Sequence, residues 1–160
     1  MSRQSSILVV ASRTATSDFL VGALAERAGR EDISFSLVVP ATRAGVAWAA
    51  DMDSGGATAR RRVDAAVVSY LAAGLRLADA RVGHPDPLAA ALDAVHFGDF
   101  AEIVVSTLPL HLSAWLRLSL PHRVAHATGL PVTHVEVPRR KPVVRARTVS
   151  AIRGRSHAPS

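Results

Sequence analysis

The sequence predicts an α/β domain: an open parallel sheet of five strands with helices on both faces. Three observations point there. The strand-like runs, such as "ILVVA" at 7–11 and "IVV" at 103–105, are continuously apolar instead of alternating, as in strands buried on both sides. Stretches of helical period separate them, so strand and helix alternate along the chain. Parallel neighbours need a crossover, and the intervening helices supply it.

The elements follow in order. Residues 7–11 form the first strand. Thr16 or Ser17 caps the first helix, with Asp18 near its positive end. Leu20, Ala23, Leu24 and Ala28 keep helical spacing, and Gly29 stops it. The second strand is 33–39, ended by Pro40. Residues 41–56 read as a long connection, with "DMDSGG" a loop. From Ala57 a second helix places Val63, Ala66, Val67, Tyr70 and Leu71 on one face, and Gly74 closes it. The third strand is 75–82. Asp86 caps the third helix with Pro87 at its first position, Leu88, Ala91, Leu92 and Val95 make its inner stripe, and Gly98 ends it. The fourth strand is 101–106. Ser119 as cap and Pro121 in the first turn open a last helix, which Gly129 closes. The fifth strand begins at Pro131 and ends at Val137.

These elements place one α/β domain in residues 1–137, ahead of a tail, 138–160, with no sustained period. The charge divides at the same point. The tail carries seven Lys/Arg and no acid, and the domain is left near −1, so the overall +6 belongs to the tail. Weak, salt-sensitive binding to polyanions is expected of it, without base recognition, because it has no aromatic residues. The absence of cysteine excludes disulfides and thiolate chemistry. No apolar run approaches the roughly 18 residues that span a bilayer, and the apolar stretch near the N-terminus is too short for a secretory signal. A cytoplasmic protein with no membrane contact is expected.

"ILVVASRTATS", "VGHPDPLAAALDAV" ahead of "AEIVVST", and "HRVAHATGLPVTHVEV" together resemble the universal stress protein superfamily over residues 6–137. The resemblance implies a Rossmann-like sheet of the adenine nucleotide alpha hydrolase-like type, in strand order 3-2-1-4-5. It also implies a homodimer paired through the fifth strand. The ATP-binding branch of that superfamily carries Gly-x2-Gly-x9-Gly-Ser/Thr after the fourth strand. Laid on this chain, the first glycine falls on Ser106 and the second on Pro109. The last pair falls on Leu118 and Ser119 when one residue is deleted, so only the Ser119 hydroxyl remains. Ser12 stands where nucleotide binders end the first strand with aspartate.

Phosphate loops need glycine so that successive backbone N–H groups turn toward the anion, and Pro109 has no N–H to give. Leu108, Leu110, Leu112, Trp115, Leu116 and Leu118 make the segment apolar instead. The expected state is a degenerate nucleotide site, its loop closed over its own cleft. Binding or regulation is then the function, without catalysis, cofactor or metal, and with Trp115 available to a protein partner. The alternative is a nucleotide-binding protein that holds ATP or AMP through the hydroxyls of Ser12, Ser106, Thr107 and Ser119, with Arg13 or Arg117 on the phosphates. Other candidates are weaker. His122 and His126 share a helix face but lack a third metal ligand, and His111 stands alone in the apolar loop. Asp51 and Asp53 begin like a calcium loop whose twelfth position is Arg62 instead of glutamate. Arg60, Arg61 and Arg62 offer an anion site, but a solvated helix face is the favoured reading.

Overall fold

In a computed structural model, which describes residues 4–41 and 54–139, five strands form one sheet in the order β3-β2-β1-β4-β5. They are β1 (Ser5–Val10), β2 (Ile33–Pro40), β3 (Arg76–Gly83), β4 (Glu102–Thr107) and β5 (Val132–Glu136), and each neighbouring pair is parallel. The helices are α1 (Asp18–Ala28), α2 (Ser54–Ala72), α3 (Pro87–Phe97), the single-turn α4 (Ala114–Arg117) and α5 (Leu120–Thr128). The expected fold class and strand order are those observed.

Two-residue alternation along the strands sorts the core into two layers. Ile7, Val9, Phe35, Leu37 and Val104 face α1 and α2, where they meet Leu20, Leu24, Val63, Ala66 and Tyr70. Leu8, Val10, Val38, Ile103 and Val105 face α3 and α5, against Ala90, Ala91, Ala94, Leu120 and Val124. This double burial explains why the central strands read as unbroken apolar runs.

Helix boundaries follow capping chemistry. The Ser17 hydroxyl accepts the Phe19 N–H at 3.2 Å, and Asp86 Oδ1 accepts the Leu88 N–H at 2.9 Å. Gly74 (φ 77°) and Gly129 (φ 69°) take the left-handed turn that other residues avoid. Gly29 ends α1 as expected, with right-handed backbone, φ −71°, its N–H bonded to the Ala25 carbonyl. Two expectations are corrected. α2 begins at Ser54, so Gly55 and Gly56 are helical and not part of a loop. First-turn amides have no partner four residues back, so glycine there disturbs few bonds. Leu71 and Leu92 are 58% and 37% exposed, so each lies outside its expected inner stripe. The inner face of α3 is made of alanines instead, which lets that helix approach the sheet closely. Residues 42–53 of the 41–56 connection, including Asp51 and Asp53, and the tail from 140 onward lie outside the described residues. Among the described residues no helix is long and apolar enough to cross a membrane.

One polar clamp ties the layers together away from the cleft. Arg27, near the end of α1, grips Glu102 at the start of β4 with two hydrogen bonds of 2.7 and 2.6 Å, and Thr133 of β5 donates to the same carboxylate. The Arg27 hydrogen bonds hold the Glu102 carboxyl below its ordinary range against the opposing effect of burial, with help from Thr133 and from the Arg27 charge. A carboxyl depressed in the folded state contributes stability that is complete above its unfolded value of about 4.3 and is lost as pH falls through the folded value. Glu102→Gln is therefore expected to lower the thermal midpoint at neutral pH and to flatten its decline below about pH 4.3. Parallel melting curves of variant and parent across the acid range would refute the assignment.

Candidate functional site

The chain leaves β1 toward β2 on one side, and leaves β4 toward β5 on the other. Connections that diverge from adjacent parallel strands leave a crevice at the strands' carboxyl ends, the usual ligand position in open α/β sheets. A cavity of about 350 Å³ lies there. Ser12, Arg13 and Thr14, just after β1, line one side, and Ser106, Thr107 and Leu108, ending β4, line the next. Leu112, Ser113, Ala114 and Trp115 supply the apolar wall, and α2 contributes Arg62.

The hydroxyls at this site are engaged with protein partners. Thr14 Oγ1 and Ser106 Oγ, both buried, lie 2.8 Å apart. Thr107 Oγ1 lies 2.7 Å from Nε2 of His134 on β5. Arg62 Nη1 donates to Ser12 Oγ at 3.1 Å, which fixes the guanidinium at the cleft. Burial, and then the nearby Arg13 charge, lower the Arg62 pKa, yet a guanidinium stays charged throughout the physiological range. Among the described residues no acidic side chain lines the cavity, so Arg13 and Arg62 meet no carboxylate from those residues there.

The segment after β4 is built differently from a phosphate loop. It makes a 3₁₀ turn at Leu110–Leu112 and then α4, which Ser113 caps by accepting the Leu116 N–H at 3.3 Å. The N–H groups of Leu112, Ser113, Leu118 and Ser119 bond to the carbonyls of Pro109, Leu110, Ala114 and Leu116. Amides spent on their own turns are not free to cradle an anion.

Ser12, Ser106, Thr107 and Arg13 thus meet at one cavity. Ser119 does not join them. It is exposed at the start of α5 with left-handed backbone, φ 54°, and its side chain makes no capping bond. Left-handed backbone disfavours a residue with a Cβ by about 1–2 kcal/mol, partly offset by glycine's greater unfolded-state freedom. Ser119→Gly is expected to raise the thermal midpoint by roughly 1–4 °C. A lower midpoint would contradict this reading. Arg117 is the last residue of α4.

The leucines do not close the cleft as expected. Leu110 and Leu118 are 59% and 62% exposed, and Trp115 packs against the α3–α5 core beside an open cavity. A 3₁₀ turn followed by a newly capped helix turns those side chains outward. His111, His122 and His126 are exposed, and among the described residues no three metal-ligating side chains cluster.

Arg62 is the residue that sequence reasoning misplaced. Arg60 pairs with Asp64 along the helix and Arg61 is exposed, but Arg62 faces inward. Its signal was present: it stands three residues after Ala59 and four before Ala66, on the helix's buried face.

No family model matches the chain, and no curated protein matches its sequence. Solved structures do match. A universal stress protein family protein from Arabidopsis thaliana with AMP bound superposes with a TM-score of 0.56 at 16% identity, over 82% of this chain and 91% of that one. The universal stress protein from Archaeoglobus fulgidus in complex with dAMP gives 0.58 at 16% identity, over 85% and 100%. A universal stress protein in complex with cAMP gives 0.53 at 18% identity, over 82% and 96%. The fold is that of the universal stress proteins, as the sequence resemblance implied.

Proposed function

We propose that the chain is a non-catalytic binding or regulatory domain. Its cleft at the ends of β1 and β4 takes a small anion-bearing molecule, and ligand occupancy is its output. The observation that carries this reading is the presence of Arg13 and Arg62 on a cavity that, among the described residues, has no acidic lining residue. A degenerate phosphate loop supports the corollary that ATP is not the ligand. The absence of catalysis is supported by the engaged hydroxyls and by the lack, among the described residues, of a lining carboxylate to act as base. Thr107 and His134 form a hydroxyl–imidazole contact, but His134 is exposed on an edge strand.

A ligand present at a hundredfold excess over its Kd stabilises a protein by about 2.7 kcal/mol, which moves the midpoint by several degrees. Small organic anions are expected to stabilise the native chain and to have little effect on an Arg13→Gln/Arg62→Gln variant. Equal shifts in both proteins, or none with any anion at millimolar concentration, would overturn the reading. A second reading, an adenine mononucleotide held by the same arginines, is favoured by the AMP, dAMP and cAMP of the three similar structures. Calorimetry with AMP separates the two.

The same reading includes a cytoplasmic homodimer paired through β5, the strand of the edge between Pro131 and Val137. The two sheet edges differ in a way that supports it. β3 carries Arg76, Asp79 and Arg81, charged side chains that discourage strand pairing, whereas β5 carries one acidic or basic side chain, Glu136, besides His134. Val135→Pro is expected to shift the protein toward monomer. A parent protein that scatters light as a monomer at high micromolar concentration would contradict the pairing.

A further inference from the structure

We propose that the ligand class of this cleft is a small carboxylate with a single negative charge and a flat apolar body. Its carboxylate sits on Arg62 and its body against Leu108, Leu112 and Trp115. This rests on the reading of the cleft as a binding site and goes beyond it by naming the chemistry of the ligand.

The argument begins with the available donors. Arg62 spends an Nη1 contact on Ser12, and a guanidinium has five N–H groups in a planar fork. The remaining donors suit the two coplanar oxygens of a carboxylate. A phosphate monoester brings up to two charges and three acceptor oxygens. Beyond the arginines, the side-chain donors left for additional oxygens include the Ser12 hydroxyl, which only accepts from Arg62, and one hydroxyl of the Thr14–Ser106 pair. Thr14 and Ser106 bond to each other, which spends one of their two hydroxyl hydrogens, Thr107 is paired with His134, and the Leu112 and Ser113 amides are bonded within their own turn. Much of the remaining wall is apolar, where an oxygen without a donor is costly.

Size and position point the same way. The volume of about 350 Å³ is near the lower end of small-molecule sites. At about 30 Å³ per water-sized group it holds roughly a dozen non-hydrogen atoms. Arg62 is half-buried and oriented by Ser12, whereas Arg13 is exposed and adds attraction from the rim.

The test uses 1-naphthoate, with 1-naphthylmethanol as its uncharged counterpart and 1-naphthyl phosphate as its phosphorylated one. Trp115 fluorescence in a Trp48→Phe background is the readout, since these are the two tryptophans of the chain. Naphthoate is expected to bind with a Kd on the order of 10–100 µM, a modest efficiency for its size. The alcohol should bind at least about tenfold more weakly, and Arg62→Met should weaken naphthoate by a similar factor with the thermal midpoint unchanged. If Arg62→Met does not fold, Arg62→Lys carries the test: charge is kept, the planar fork is lost, and binding should fall several-fold. Equal affinity for alcohol and naphthoate overturns the assignment. So does naphthyl phosphate binding about tenfold tighter than naphthoate, a result that leaves the anion-binding reading in place. No saturable binding of any of the three, with no effect of AMP, overturns both.

Discussion

ATP at about 1 mM is expected to give no saturable heat in calorimetry with this protein, and ADP the same. A glycine-rich loop binds a triphosphate by aiming several backbone N–H groups at it. Here Pro109 has none, and those of Leu112, Ser113, Leu118 and Ser119 are already bonded to carbonyls of the same segment. A hydrogen bond to a charged group contributes about 1.5–3 kcal/mol. Losing three of them weakens binding by about three orders of magnitude or more, since each 1.4 kcal/mol is tenfold. Arg62 and Arg13 restore part of that attraction, but two cations cannot replace a cradle that contacts three phosphates at once. A micromolar Kd for ATP would show that the segment rearranges to release its amides.

Gly83→Val is expected to destabilise the fold by about 2–3 kcal/mol, lowering the thermal midpoint by roughly 4–12 °C. The reason is contact distance and not backbone freedom. A Cβ at Gly83 would lie 2.5 Å from Val38 Cγ2 and 2.9 Å from Ala90 Cβ. Val38 and Ala90 are 2% and 1% exposed, so neither side chain has space to retreat into. α3 must then lift from β2 and β3, opening the close alanine-lined contact on which that layer depends. Adding Val38→Ala to a Gly83→Ala variant should recover part of the loss, a coupling that distant sites do not show. If Gly83→Val melts with the parent protein, the close approach of α3 is wrong.

The fold was largely legible because its strongest signals are local. Unbroken apolar runs marked the strands, and Ser17, Asp86, Gly74 and Gly129 marked helix ends through chemistry confined to a few residues. The strand order came from the resemblance, since periodicity alone does not say which parallel strands are neighbours. What escaped depends on tertiary context. Leu71 and Leu92 have the spacing of core residues but lie on the outer edges of their stripes, where alanines make the contact instead. At the site, Ser12, Ser106 and Thr107 came from laying the resembled family's motifs on the chain, and they line one cavity because they end or follow strands that diverge at a switch point. Ser119 was misplaced because two turns of different type separate it from β4, and turn geometry decides where its hydroxyl lies. Arg62 was hidden within a run of three arginines, although its register on α2 distinguished it from the other two.

The central claim is that ligands enter at the carboxyl ends of β1 and β4 and are held by Arg62. Amide and guanidinium NMR shifts during titration with 1-naphthoate test it most directly. The account predicts that the largest changes fall on Ser12, Arg13 and Thr14, on Thr107 and Leu108, on Leu112 to Trp115, and on Arg62 Nε–H. Residues of α3 and β3 should stay unmoved. Changes centred on β5, on α3 or on the tail, with Arg62 unaffected, would contradict it.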